Sequence, residues 1–197
     1  MLNRFSVHAG LFKLLPARQS AYRWFHSTET AVAIVHNDIV HETDAGQITA
    51  LVLLDLSAAF DTVDHGVLLD VLSSRFGVMD RVLQWFKSYL TGQTQVFCIR
   101  SDYAEVTSIA CSVPQGTVAG SLLFIAYTED LEDTINSFTF NHHMYTNDTQ
   151  LLAHTSLKDV QYVRLGLETC ILAIQDWCSS RRLQLNPDKT EVIWFLY

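Results

Sequence analysis

The sequence is short of proline and glycine. Its 197 residues include three prolines and eight glycines, and no repeat, low-complexity tract or linker marks a domain boundary. Because proline and glycine are the strongest local breakers of regular structure, this scarcity favours one continuous folded domain. Hydrophobic residues make up 49% of the chain, which argues against disorder and, at this length, permits a sizeable core.

Cysteines are also few, and long apolar runs are missing. Even the nearest pair of the four cysteines, Cys170 and Cys178, has a spacing that fits neither a zinc ribbon nor a redox motif. No secretory signal peptide opens the chain, so we expect free thiols in a reducing compartment. No apolar run reaches the roughly 18 residues of a membrane span. We therefore expect an intracellular protein, nuclear or cytoplasmic, without a membrane partner.

Hydrophobic periodicity predicts an α/β protein. Residues 1–18 are compatible with a short amphipathic helix, a mitochondrial presequence or a truncated start. Alternating residues predict a β-hairpin over residues 95–100 and 104–112, and an apolar run predicts a strand over residues 192–197. Apolar residues at helical spacing predict helices over residues 28–42, 66–75, 79–90 and 157–177.

A short apolar run leads directly into Asp55. Residues 50–54 suit a strand buried on both faces, and the residues that follow have helical spacing. A carboxylate at the end of a buried strand is costly unless a positive partner, such as a metal ion or an arginine, compensates it. Asp55 is therefore a candidate for chemistry. The alternative is that Asp55 or Ser57 caps the next helix.

A second polar stretch predicts a β-hairpin. Thr146, Asn147 and Asp148 lie between two runs that have strand character, and asparagine and aspartate tolerate the positive φ angles of tight turns. We expect the tip of this hairpin to carry Asp148.

Four segments, in this order, resemble motifs A, B, C and D of the reverse transcriptases of non-LTR (LINE-type) retrotransposons. They read LLDLSAAFDTVDH, SVPQGTVAGSLLF, MYTNDTQLL and LQLNPDKTEVI, and the upstream QSAYRWFHSTET resembles a fingers segment of the same family. The resemblance implies a polymerase palm with partial fingers, in which helices back a small antiparallel sheet. We expect a single domain with residues 1–50 in the fingers, 51–65 as motif A, 66–110 as an insertion and 111–197 as motifs B to D. The family's thumb is expected to be missing.

The resemblance also implies a reaction. Reverse transcriptases carry out template-directed nucleotidyl transfer on an RNA template and a DNA primer with dNTPs, and two Mg²⁺ ions about 3.5–4 Å apart clamp the phosphoryl group. By resemblance Asp55, Asn147 and Asp148 hold metal through the oxygen ligands that Mg²⁺ prefers. The implied catalytic residues are Asp55, Asp148 and Lys189, with Lys189 as the general acid for pyrophosphate. Without the resemblance Lys189 is a solvated lysine in a turn.

Nucleotide-binding residues follow from the same motifs. Arg23 matches an arginine that approaches the triphosphate, and its alternative is an ordinary surface arginine. Phe60 matches the aromatic residue that lies against the sugar of the incoming nucleotide, and it is equally compatible with a core position. Gln115 and Gly116 match residues that line the nucleotide pocket, whereas their alternative is a plain turn at a helix start.

Motif C departs from the family. Most members read Tyr-Ala-Asp-Asp there, whereas Asn147 occupies the first aspartate position in this chain. An amide keeps an oxygen ligand but loses one negative charge. We therefore expect polymerase activity to be severely reduced or absent, unless Asp61, Asp64 or an adjusted coordination supplies the charge. Asp61 and Asp64 are otherwise solvated residues of a first helical turn.

Basic residues are too few for a typical nucleic-acid surface. The chain has 21 acidic and 13 basic residues and a formal net charge of −8, whereas phosphate binding usually depends on a basic patch. Either the basic parts of a larger polymerase are absent, or the chain no longer binds nucleic acid. The second explanation leads to the alternative function, a non-catalytic retrotransposon remnant that acts as a binding module or has no selected role.

Overall fold

A computed structural model describes residues 2–114 and 116–196 and confirms the mixed helix and sheet class. None of the helices in these two ranges has the length and apolar character needed to cross a membrane. The helices are α1 (Leu2–Leu11), α2 (Thr28–Asp44), α3 (His65–Ser74), α4 (Asp80–Leu90), α5 (Val118–Tyr127), α6 (Leu131–Asn136) and α7 (Val160–Ser180). The strands are β1 (Ile48–Leu54), β2 (Thr94–Gln95), β3 (Cys98–Ile99), β4 (Asp102–Tyr103), β5 (Thr107–Ser108), β6 (Asn141–Tyr145), β7 (Asp148–Thr155) and β8 (Glu191–Phe195).

The chain folds into two compact units. The helical unit contains the chain up to Leu14 together with Phe60–Tyr127, and so includes α1, α3, α4 and α5. The sheet unit contains Leu15–Ala59 and the chain from Thr128 onward. Each unit is built from segments that are distant in sequence. The finer division into fingers and palm segments stays a prediction.

The sheet unit is organised around β1. The strands lie in the order β6-β7-β1-β8, and every neighbouring pair is antiparallel. On one face Leu51 pairs with Leu152, and both pack against Val35 of α2. The opposite face is also buried, through Ala50, Val52, Leu54, Leu151 and Ala153. The prediction that this strand is buried on both faces is therefore confirmed.

The segment between β1 and α3 differs from its prediction. Residues 56–63 form turns rather than a helix, and α3 begins at His65 with Asp64 as its N-cap. The Ser57 N–H donates to the Gln184 carbonyl, so the backbone hydrogen bond goes to another segment instead of a helix. Ala58 has φ 44°, which a right-handed helix does not allow. The alternative that Asp55 or Ser57 caps the next helix is wrong, because that helix begins at His65 and its N-cap is Asp64.

The predicted hairpin in the helical unit is present, but its ladders are short. Strand β2 pairs with β5 and strand β3 pairs with β4, with a turn at Arg100 between β3 and β4. The register shifts by one residue between the two ladders, as it does at a β-bulge. The side chains of all four strands are exposed. Without a buried face, little holds a longer ladder in register.

The cysteines are free thiols, as predicted from their spacing. Burial raises the pKa of Cys170 to about 11 and the pKa of Cys178 to about 12. Both thiols are therefore protonated at neutral pH. Because the thiolate is the reactive form, these two cysteines act as small hydrophobic residues of α7.

A methyl group at Gly120 should destabilise the helical unit. A Cβ there would lie 2.2 Å from the Pro114 carbonyl oxygen, which already accepts a hydrogen bond from the Thr117 hydroxyl. We expect Gly120→Ala to lower the free energy of unfolding by about 1–3 kcal/mol, measured by urea denaturation followed by circular dichroism.

The matched control is Gly10→Ala in α1, where a Cβ meets nothing within 4 Å. Alanine is a better helix former than glycine, so this variant should gain up to about 1 kcal/mol. Equal effects of the two substitutions would contradict the close contact at Gly120.

Candidate active site

The Asp55 carboxylate lies at the end of β1 and is held from two sides. The Asn186 N–H donates to the Asp55 backbone carbonyl at 2.8 Å and fixes the strand end. In the side chain, Oδ1 accepts a hydrogen bond of 2.7 Å from Asn147 Nδ2. Oδ2 lies 3.1 Å from Lys189 Nζ, and the Asp55 side chain is only 14% exposed. The positive partner that a carboxylate needs at this position is therefore a lysine of the chain itself.

The hairpin that carries Asn147 has a tighter turn than predicted. Thr146 and Asn147 form the turn, while Asp148 pairs with Tyr145 and opens β7. The prediction that Asp148 lies at the tip is wrong, because the ladder closes one residue earlier. Leu54 pairs with Thr149 across β1 and β7, so the register places Asp148 beside Asp55.

The pKa of the Asp148 carboxyl depends on burial and on the charges of Asp55 and Lys189. Partial removal of solvent raises the pKa of the Asp148 carboxyl above its ordinary value, and the neighbouring Asp55 raises it further through hydrogen bonding and charge. The Lys189 ammonium opposes this rise in the pKa.

Lys189 is positioned by a short 3₁₀ helix, Pro187–Lys189, immediately before β8. The Asn186 side chain caps this turn by accepting a hydrogen bond from the Asp188 N–H. Lys189 is 68% exposed, so water screens part of its attraction to Asp55. It lines an open cleft of about 430 Å³ together with Asp55 and Asp148. The lysine is thus neither isolated nor simply solvated, since its charge faces the strand end.

These residues do not fit a pair of divalent cations in the arrangement that the structure shows. Within residues 2–114 and 116–196, no three histidine, cysteine, aspartate or glutamate side chains come together as a metal site. Asn147 presents an N–H donor to Asp55 instead of an oxygen ligand. Lys189 already balances one negative charge. A cation at Asp55 would therefore meet the Asn147 N–H and the Lys189 ammonium beside the carboxylate.

Asp64 has a structural role at the start of α3. Its Oδ1 accepts a hydrogen bond of 2.9 Å from the Val67 N–H, which makes it the N-cap of α3 in the helical unit. The sequence alternative placed Asp64 as a solvated residue in the first helical turn, whereas the structure places it at the N-cap, just before that turn.

The predicted nucleotide-binding residues are distributed over both units. In the sheet unit, Arg23 Nη1 donates to the carbonyls of Pro16, Ala17 and Gln19, so its guanidinium organises its own loop. In the helical unit, the Phe60 ring stacks on Phe124, with the ring centroids 4.6 Å apart.

The predicted pocket glycine, Gly116, belongs to the helical unit. It has φ +73°, a conformation that glycine adopts without strain, and a Cβ there would meet nothing within 4 Å. Gln115 lies outside the described residues. The structure thus brings together Asp55, Asn147, Asp148 and Lys189, and the nucleotide-binding roles of Arg23, Phe60, Gln115 and Gly116 stay predictions.

One functional candidate, Gln19, was missed by sequence reasoning. It is 2% exposed, and its amide is hydrogen-bonded to the backbone of Thr146 at 3.1 and 3.4 Å. A single polar residue in an irregular segment has no periodic pattern that would reveal its burial. The only available signal was its place at the start of the segment that resembles the fingers.

The raised pKa of Asp148 predicts a pH effect on stability. The folded chain holds the proton more tightly than the unfolded chain, so this contribution is full below the ordinary pKa of 3.8. It is lost as the pH rises through the raised pKa of the folded state. We expect Asp148→Asn to lose less stability than the wild type as the pH rises from 3.8, in urea denaturation at several pH values. Asp176→Asn, at an exposed position of α7, serves as the control, and identical pH profiles for the two variants would refute the assignment.

Removing the Lys189 charge should make the site more attractive to divalent cations. The ammonium lies 3.1 Å from Asp55 Oδ2 and competes with any cation for that oxygen. We expect Lys189→Met to bind Mn²⁺ at least tenfold more tightly than the wild type, or about 1.4 kcal/mol, in calorimetric titration. Lys158→Met removes an exposed lysine of the same unit and should leave Mn²⁺ affinity unchanged. Equal Mn²⁺ affinity in both variants would show that Lys189 does not compete with cations for Asp55.

Comparisons with known proteins identify the family of this chain. A family model described as "Reverse transcriptase (RNA-dependent DNA polymerase)" matches residues 1–194. A probable RNA-directed DNA polymerase from transposon BS of Drosophila melanogaster is 28% identical, over 90% of this chain and 20% of that protein. The RNA-directed DNA polymerase from mobile element jockey of the same organism is 25% identical, over 99% of this chain and 21% of that protein. The chain thus spans about a fifth of the length of these relatives.

Solved structures share the fold. Apo telomerase from Candida tropicalis, truncated from its C-terminal domain, superimposes with a TM-score of 0.71 at 13% identity and covers 98% of this chain and 40% of that chain. Telomerase from Candida albicans, in complex with a fragment of telomeric RNA, gives a TM-score of 0.65 at 14% identity, over 98% of this chain and 34% of that chain. The transposon relatives confirm the resemblance to non-LTR retrotransposon enzymes. By its family match, its fold and its converging acidic strand ends, the chain belongs to the reverse transcriptase (RNA-dependent DNA polymerase) family.

Proposed function

We propose that this chain is the palm of an RNA-directed DNA polymerase of a mobile element, with strongly reduced activity. The observation that carries the proposal is the convergence of Asp55, Asn147 and Asp148 at the adjoining ends of β1 and β7. The substrates are an RNA template, a DNA primer and dNTPs. The relatives named above, which are RNA-directed DNA polymerases of transposons, support this choice of substrates.

The residues of the site can serve nucleotidyl transfer through their charges. The reaction joins the primer hydroxyl to the nucleotide and releases pyrophosphate, which leaves with additional negative charge. Lys189 lies at the open cleft with a mostly exposed side chain, and its ammonium group can neutralise or protonate a departing phosphate. Asp55 and Asp148 line the same cleft and provide negative charge there, with Asp55 Oδ2 lying 3.1 Å from the Lys189 ammonium.

The cofactor of the family, Mg²⁺, is bound weakly by this chain in our proposal. Such ions, where bound, would supply positive charge for the attacking hydroxyl and the leaving pyrophosphate. The available ligands are Asp55, Asp148 and the amide oxygen of Asn147. The Asn147 amide must first rotate so that its oxygen faces the cleft, because its nitrogen now donates to Asp55. With both carboxyls ionised, these residues and Lys189 carry one net negative charge, too little to balance two divalent cations.

A second candidate function is a binding module without catalysis. Groups of the chain itself already engage the Asp55 carboxylate, since Asn147 donates to Oδ1 and the Lys189 ammonium lies 3.1 Å from Oδ2. Such a product would hold nucleotide or template but would not join nucleotides. The two candidates share a fold and differ in whether restoring the lost charge restores the reaction.

Asn147→Asp should recover primer extension. The substitution restores one negative charge and removes the N–H that donates to Asp55. We expect single-nucleotide extension of a DNA primer on an RNA template in Mg²⁺ to rise at least 100-fold, about 2.7 kcal/mol in the activation barrier. Asp55→Ala provides the blank, and the unaltered chain should extend the primer at or near the level of this blank.

Two other outcomes of the primer-extension assay would contradict parts of this proposal. Extension by the unaltered chain well above the blank would refute the reduced activity, because Asn147 would then suffice as a ligand. If Asn147→Asp extends the primer no more than Asp55→Ala does, the polymerase proposal fails. Fluorescence anisotropy with a labelled RNA–DNA duplex then tests the second candidate, for which wild-type binding that Asp55→Ala leaves intact is the expected result.

A further inference from the structure

Gln19 lies in an extended segment that runs beside β6. The Met144 N–H donates to the Arg18 carbonyl at 2.9 Å, and the Ser20 N–H donates to the Met144 carbonyl at 3.0 Å. These two bonds form a parallel bridge between Gln19 and Met144 at the edge of the sheet. Gln19 itself is 2% exposed, so its side chain points into the sheet unit rather than into solvent. A buried amide must find hydrogen-bond partners there.

The partners of the Gln19 amide belong mainly to the turn between β6 and β7. Gln19 Oε1 accepts a hydrogen bond of 3.1 Å from the Thr146 N–H and another of 3.0 Å from the Ala21 N–H. Gln19 Nε2 donates to the Thr146 carbonyl at 3.4 Å. The side-chain amide therefore engages both backbone groups of Thr146, as a neighbouring strand would. Both peptide planes that flank Thr146 are restrained by one side chain.

Thr146 is a residue that needs such restraint. Its φ is 58°, in the left-handed region, where a β-branched side chain is disfavoured. Strained backbone of this kind persists only where several surrounding contacts hold it in place. The next two residues are Asn147, whose amide donates to Asp55, and Asp148, which lies beside Asp55. The conformation of Thr146 thus sets how the hairpin presents both side chains.

We infer that Gln19 is a positioning residue for the site formed by Asp55, Asn147 and Asp148. It touches none of the reacting groups and acts through the backbone of Thr146. The catalytic part of this inference rests on the proposed function, whereas the structural part does not. Removing the Gln19 amide frees the turn to leave its strained conformation, and Asp148 then loses its fixed place beside Asp55.

Ser20 provides a matched control in the same segment. Its hydroxyl is hydrogen-bonded to His143 Nε2 at 2.8 Å, and the residue is 3% exposed. The bond joins the segment to β6 without reaching the turn. Ser20→Ala therefore removes a buried hydrogen bond from the same extended segment, at similar depth, while leaving the contacts of Thr146 in place.

The first arm of the test is amide hydrogen exchange in the full wild-type chain and its Gln19→Met and Ser20→Ala variants. Methionine has a similar length but cannot accept or donate the two bonds to Thr146. We expect exchange at the Thr146 amide to rise at least tenfold in Gln19→Met and to stay within twofold in Ser20→Ala. Unchanged exchange at Thr146 in Gln19→Met, or an equal rise in both variants, overturns the inference.

The second arm is catalysis in the Asn147→Asp background. We expect Gln19→Met to lower kcat for single-nucleotide extension at least tenfold with KM for the dNTP within threefold, because misplaced carboxylates affect the reacting state. Ser20→Ala should retain both constants. Equal loss of kcat in the two variants would overturn the positioning role. If Asn147→Asp itself does not extend a primer, the proposed function fails, and the exchange arm still decides the role of Gln19.

Discussion

The structure of the sheet unit depends on compensating one carboxylate at the end of a buried strand. Asp55 follows a strand that has both faces covered, and its side chain is only 14% exposed. Leaving that charge unpaired would cost several kcal/mol, by the usual penalty for a desolvated ion. Lys189 and Asn147 approach the two carboxylate oxygens and offset part of this cost. These contacts link motifs A, C and D.

This compensation also explains why one substitution at position 147 matters. With an aspartate there, the strand ends would carry three carboxylates, and Lys189 would balance only one of their charges. With asparagine, the amide donates to Asp55 Oδ1 and the Lys189 ammonium lies 3.1 Å from Oδ2, so the chain's own residues engage the carboxylate. The contacts that stabilise the Asp55 carboxylate without a cation also compete with a cation for it. Gln19 adds a third element, since it restrains the turn from which Asn147 and Asp148 extend.

Much of the secondary structure follows from local patterns. The apolar run before Asp55 predicts β1, and helical spacing predicts α2, α3, α4 and α7 within a few residues of their observed bounds. The pattern fails at residues 56–63, where apolar spacing resembles a helix but the Ser57 N–H bonds to the Gln184 carbonyl. A tertiary hydrogen bond therefore overrides the local preference. Asp148 was misplaced by one residue, because the hairpin closes with Thr146 at a positive φ that β-branched residues rarely adopt.

The sequence by itself determined the family, the central strand, and the order of Asp55, Asn147, Asp148 and Lys189 along the chain. Residue type and spacing are sufficient for these, because they depend on motifs that are contiguous in sequence. Only the tertiary structure decided that Lys189 faces Asp55, that Asn147 donates rather than accepts, and that Gln19 holds Thr146. Each of these contacts joins residues about 90 or more positions apart, and each depends on strand register and side-chain orientation. No local pattern encodes a contact of that kind.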